Sequence, residues 1–287
     1  MADKRDMTTS VTEPDTLTRF LLSDASTRGA IIRGSGINAE AKRIHGLNGP
    51  VAELFGQTLL ASILLLSISK SGVRQVLQLD AANGASAPLQ RLLSEARGGA
   101  VRGLVSWQEE QTALRYEDHA GLSSWMGNPI RLSTVRDMGV GQPYISTIEH
   151  HSDFLADHII HYLHQSVQIR ADVILIGDLA ILIEAMPGCD EENWFKAVEA
   201  MAKIPDSVLE NGSTESILSH FSSLNCKTVG SDSYAYHCDC TQEKMKLALQ
   251  GISNEQLHEL ADENGKVTLS CQYCDNSYAL DIGEAEA

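Results

Sequence analysis

Residues 238–240 and 271–274 read Cys238-Asp239-Cys240 and Cys271-Gln272-Tyr273-Cys274, two tight pairs of cysteines with thirty residues between them. Four sulfurs at this spacing can close on one tetrahedral ion. Thiolates suit Zn²⁺, and four of them leave no position for water, which makes the site structural rather than catalytic. The spacing predicts a metal-pinned C-terminal domain over 238–287, attached to something larger. Sulfur can be oxidised and its metal cannot, so the functional question is whether the clamp is permanent.

The residues between the pairs predict little independent stability. Thr241 can cap a helix running from Glu243 to Leu249 and stopped by Gly251, and Ser253 with Gln256 has capping-box spacing for a second helix through Leu257 and Leu260. Residues 265–270 alternate as a short strand leading into Cys271. Helices of about two turns are not stable alone, so the metal must supply what so small a core lacks.

Upstream, the stretch from Asp206 to His237 carries eight serines and two glycines among scattered apolar residues: Leu209, Ile217, Leu218, Phe221 and Leu224. It can form helices only against another surface, which makes 205–237 a metastable, helical linker. Residues 16–204 read as a large mixed α/β N-terminal domain. Strand-like alternation appears over 17–33 and 73–80, 101–107 reads as another strand, and 168–176 and 180–184 read as two buried strands joined by a Gly177-Asp178 turn. Pro50 opens a core helix that continues through the Leu59–Ser69 run, and 190–203 is helical with Trp194, Val198 and Met201 on one side. The fold class expected is α+β. Residues 1–15 read as a loose acidic tail.

Composition excludes several function classes. With 22 basic and 38 acidic side chains the net charge is -16, which repels phosphate backbones and anionic membranes, and no Lys/Arg run offers a local exception. Neither nucleic acid nor membrane is therefore an expected partner. The first twenty residues are polar and carry four acids, unlike a secretory signal, and apolar runs such as Leu59–Leu66 stop well short of the roughly 18 residues of a span. Six cysteines in 287 residues are too sparse for a disulfide framework, so a reducing compartment, the cytoplasm, is expected. Cys189 and Cys226 read as bystanders. The glycines at 84, 98, 99 and 103 lack phosphate-loop or dinucleotide spacing. His158, His161 and His164, three apart on a helix, accompany His119, His150 and His151; without an HExxH arrangement they read as surface or half-buried helix residues rather than a second metal site.

The tail from Tyr236 to Glu243 and from Val267 to Tyr278, with its CxC pair, its CxxC pair and a tyrosine four residues past the last cysteine, resembles the redox-regulated heat-shock chaperone family of about 33 kDa, the bacterial zinc-thiolate holdases. Weaker likeness continues upstream at Arg19-Phe20, Gln78 through Pro88, Arg102-Gly103 and Tyr162 through Ile169. The chain departs from the family pattern at Ser166-Val167-Gln168, in Asn83 through Pro88, and in a spacer a few residues long. The resemblance implies a stress-response protein that is not an enzyme and has no catalytic residues: an ATP-independent holdase, inactive while Cys238, Cys240, Cys271 and Cys274 bind one zinc per chain. Oxidation would form disulfides Cys238–Cys240 and Cys271–Cys274, release zinc and destabilise the linker, after which a homodimer shields unfolding client proteins. In the chain-entropy picture such short loops contribute only about 1.5–2 kcal/mol each, against roughly 10–16 kcal/mol for a structural zinc. Near-neighbour disulfides therefore cannot replace a tie across thirty residues.

Two other readings stand beside this one. A static zinc module could bind a protein partner without any redox change. A thiol oxidoreductase could use Cys271 and Cys274, although that motif belongs at a helix start in a βαβ setting, and here it lies near the chain end.

Overall fold

The computed structural model describes residues 15–69, 72–82, 87–108 and 121–281. The acidic tail before Asp15, the turn at Asn83-Gly84 and His119 lie outside the described residues. The described residues start with β1 (Asp15–Leu22), β2 (Thr27–Arg33), α1 (Ser35–His45), α2 (Gly49–Ile68), β3 (Arg74–Asp80), β4 (Leu89–Arg97) and β5 (Ala100–Trp107). They continue through α3 (Leu122–Met126), β6 (Ile130–Asp137), β7 (Tyr144–His150), α4 (Leu155–Tyr162), β8 (Ala171–Ile176), β9 (Leu179–Ala185), α5 (Glu191–Ala202), α6 (Asp206–Asn211) and α7 (Thr214–Ser219). They close with β10 (Cys226–Tyr236), α8 (Gln242–Leu249), α9 (Asn254–Leu260), β11 (Lys266–Ser270) and β12 (Ser277–Asp281). The fold is α+β.

Ten strands form one sheet in the order β7-β6-β3-β4-β5-β10-β1-β2-β9-β8, and β11 with β12 form a separate hairpin. Runs such as Ala30-Ile31-Ile32 and Leu179 through Ile183 are apolar at every position, so a strand built from them must bury both faces. The strand period of two then divides them between two cores. Ala30, Ile32, Ala180 and Leu182 face the larger core with α2 and α4. Ile31, Leu179, Ile181 and Ile183 face a second core with α5, α6 and α7. Each buried Ile or Leu among them contributes about 1.5–3 kcal/mol by leaving water.

Helix α2 lies in the larger core, with Pro50 in its first turn. Its polar side chains are satisfied within the helix: Thr58 Oγ1 donates to the Leu54 carbonyl at 2.7 Å and Ser62 Oγ to that of Leu59 at 2.7 Å. Among the described residues it is the one helix long and apolar enough to cross a membrane, and 78% of that window is buried in the protein. The apolar run reads short in the sequence because Gly56, Gln57, Thr58 and Ser67 flank it, whereas helix packing keeps the buried face continuous. Gly103 of β5 faces α2, where a Cβ would come within 2.8 Å of Phe55 and 2.9 Å of Leu59. Val167, where the family pattern is broken, is half-buried against the larger core at the end of a π-helical turn after α4.

The 205–237 segment is helical only in its first half. Leu209, Ile217, Phe221 and Leu224 enter the second core, with the Phe221 ring 5.5 Å from that of Phe20. Arg33 gathers the free carbonyls ending α6, donating to Leu209 at 2.7 Å, Glu210 at 3.1 Å and Gly212 at 3.1 Å. The second half is β10, an eleven-residue strand between β1 and β5 in which Tyr234 is the one buried side chain. It is held mainly by its backbone ladder, antiparallel to β1 over most of its length and parallel to β5 only at Ala235 and Tyr236. Its polar sequence gave no apolar alternation to announce a strand, since pairing with two neighbours needs only the backbone.

Candidate metal centre

The end of β10 delivers Cys238 and Cys240 to the start of α8, where Thr241 accepts the Lys244 N–H at 3.3 Å. Cys271 and Cys274 occupy the turn between β11 and β12. There Cys271 N donates to the Asn276 carbonyl at 2.9 Å and Cys274 N to that of Cys271 at 3.3 Å. Helix α9 begins with the expected capping box between Ser253 and Gln256. The core of this unit consists of four buried side chains: Leu249, Leu257, Val267 and Leu280. So small a core needs a staple.

The four sulfurs lie within 4.8 Å of one another, and among the described residues no other such group of three or more His, Cys, Asp or Glu forms. A tetrahedral Zn–S distance of about 2.3 Å places neighbouring sulfurs about 3.8 Å apart. Cys238 and Cys271 are separated by 3.7 Å and Cys240 and Cys274 by 3.3 Å, so the donor set fits a tetrahedral thiophilic ion.

Without an ion, four clustered sulfurs share protons unequally. Burial raises the Cys240 thiol, but hydrogen bonds from Tyr278, Cys274, Cys238 and Asn276 outweigh it and bring the group down to about 7. Cys274 is pushed well up, first by burial and then by its neighbouring sulfurs, and burial also raises Cys238. The Tyr278 hydroxyl, 3.2 Å from Cys240 Sγ, is raised to about 12, first by that hydrogen bond.

Cations surround the first pair. Lys244 Nζ lies 2.6 Å from Asp239, and Arg102 Nη1 lies 2.8 Å from Asp239 and 3.6 Å from Cys238 Sγ. The Arg102 guanidinium also sits 4.5 Å from the centre of the Tyr273 ring. Tyr236 Oη donates to the Tyr273 carbonyl at 2.7 Å and lies 2.9 Å from His45 Nε2. None of these cross-links between the cysteine unit and the large sheet was legible from spacing, since Arg102 and Cys238 stand 136 residues apart. The weak Arg102-Gly103 likeness was the one sequence signal at that position.

The other candidates are elsewhere. Cys189 is buried, its thiol donating to the Ala25 carbonyl at 3.3 Å, and Cys226 begins β10 with its thiol raised by burial. The histidines do not line one exposed helix face. His158 is fully buried, with Nε2 3.1 Å from the Ser152 carbonyl, because α4 turns that side into the core. His161 stacks on His150 of β7 at 4.3 Å, and His164 is exposed.

A family model described as Hsp33 protein matches residues 15–281. Among curated proteins, the 33 kDa chaperonin of Pelobacter propionicus is 28% identical over 88% of this chain and 86% of its own length. That of Bacillus subtilis is 24% identical over 95% and 97%. The crystal structure of a 33 kDa chaperonin, a heat shock protein 33 homolog from Thermotoga maritima, superposes with a TM-score of 0.76 at 19% identity, covering 96% of this chain and 97% of that one, which shows the shared fold. These relatives are named as chaperonins and not as enzymes, and the family match spans both the ten-stranded sheet and the cysteine unit: the chain belongs to the Hsp33 family.

Proposed function

We propose that this chaperone is a redox-controlled, ATP-independent holdase of the cytoplasm, with one Zn²⁺ per chain on Cys238, Cys240, Cys271 and Cys274 in its reduced, inactive form. The observation that carries the reading is four sulfurs at tetrahedral spacing on a unit whose apolar cluster holds four buried side chains among the described residues. Bound zinc would hold both cysteine pairs as thiolates and tie together segments that this core cannot.

A two-electron oxidant such as hypochlorite takes two electrons from each pair, giving disulfides Cys238–Cys240 and Cys271–Cys274 and chloride. The sulfurs then no longer ligate, and Zn²⁺ leaves as the free ion. The pairing matters physically. Bridges between the pairs would close loops of about 34 residues and contribute about 3.7 kcal/mol in the chain-entropy picture, mimicking the ion, whereas the short loops leave the unit open. Opening frees β10 at Tyr236, and the domain boundaries are 16–204, 205–237 and 238–287. Release of 205–237 uncovers the faces of Phe20, Ile31 and Ile183 that Phe221 and Ile217 now cover, apolar surface suited to unfolding clients. The active form is a homodimer.

The test treats reduced, zinc-loaded protein with hypochlorite. Expected are release of about one zinc per chain, peptides linked 238–240 and 271–274 by mass mapping, and suppression of aggregation of a thermally unfolding client without ATP. Zinc release with no protection of the client would leave the centre a structural clamp and overturn the reading.

A further inference from the structure

Arg102 holds both cysteine pairs at once. On β5, with its side chain only 17% exposed, it sends Nη1 to Asp239, the residue enclosed by the first pair, and packs its guanidinium on Tyr273, enclosed by the second. Its Nη2 lies 3.2 Å from Glu95, a carboxylate 5% exposed that Arg97 and Arg74 also approach, at 2.8 and 3.3 Å. One residue away, the end of β10 is fastened to the same strand. His237 N donates to the Val101 carbonyl at 2.9 Å and Gly103 N to Tyr236 Oη at 3.3 Å, and just before β5 Ala235 N donates to the Gly99 carbonyl at 3.2 Å.

We propose that Arg102 is the positioning residue that couples the closed cysteine centre to the seating of β10 on β5. Asp239 and Tyr273 reach one guanidinium only while the two pairs are drawn together, so separation of the pairs removes at least one of its contacts. What remains is a half-buried cation beside a carboxylate that two other arginines also approach. This rests on the proposed opening of the centre but not on what the released surface binds. Coupling of this kind is reciprocal: a centre that favours a seated β10 is itself held closed by it.

The experiment uses the full-length, reduced, zinc-loaded chain and two readouts, transfer of zinc to a chromogenic chelator and hydrogen exchange of peptides covering 226–237. Arg102→Met keeps the aliphatic stem and removes the fork. It is expected to accelerate both readouts roughly tenfold or more, the scale of one charge-assisted hydrogen bond, with β2 and β9 unchanged. Arg102→Lys keeps the charge and should restore part of the wild-type rate. Asp239→Asn breaks the same contact from a side chain 44% exposed, so the test stands even if β5 tolerates no change. Adding it to Arg102→Met should give less than the product of the two effects. Unchanged rates in both single variants, or faster exchange spread equally over β2 and β9, would overturn the coupling. A wild-type protein that releases zinc but never protects a client would overturn the holdase reading instead and leave these readouts intact.

Discussion

Phe221→Ala separates docking of the 205–225 helices from stability of the large domain. Phe221 is fully buried, its ring stacks at a 30° tilt on Phe20, and its neighbours in the second core include Ile217, Leu209 and Ile183. Truncating a buried phenylalanine costs about 3–5 kcal/mol. If α6 and α7 undock as a unit, that cost falls on the docking step alone and raises the undocked population roughly 150- to 4,000-fold. The larger core, built around α2 with no contribution from Phe221, is untouched. Hydrogen exchange by mass spectrometry on the reduced, zinc-loaded variant checks this. Peptides over 206–224 should exchange faster by two orders of magnitude or more, while peptides over 49–68 keep the wild-type rate. Equal acceleration in both would show one cooperative unit, and no acceleration in 206–224 would show that the helices do not depend on this contact; either result refutes the reasoning.

Three further outcomes follow from the same geometry. Gly103→Ala places a methyl against the Leu93 carbonyl and the Phe55 and Leu59 side chains, so β5 must move off α2; a loss of about 1–3 kcal/mol, read as a lower melting temperature, is expected. In zinc-free, reduced protein Cys240, brought down to about 7, becomes increasingly thiolate as pH rises through that value, whereas Cys274 stays protonated. Mass spectrometry after brief alkylation at pH 7.5 should find Cys240 labelled ahead of Cys274. Chelation of zinc under reducing conditions should abolish exchange protection in 242–281 while sparing β2 and β9, because a cluster of four buried side chains among the described residues is too small a core to hold that unit closed.

The cysteine pairs, their intervening capped helices and the long apolar helix were legible in the sequence because each is a local pattern: a ligand spacing, a capping box, a helical period. Paired strands were legible where apolar residues occur in runs, as in Ala30-Ile31-Ile32 and Leu179 through Ile183. The polar strand β10 was not, nor was the burial of His158, since both depend on which neighbours arrive from distant parts of the chain. The ligand spacing alone was enough to bring four sulfurs together on paper and to show how little else would hold the tail. Where that centre rests, against Arg102 and Tyr236 at the seam between β5 and β10, emerges from the folded chain, because a guanidinium chooses partners by position in space and leaves no periodic trace in the sequence.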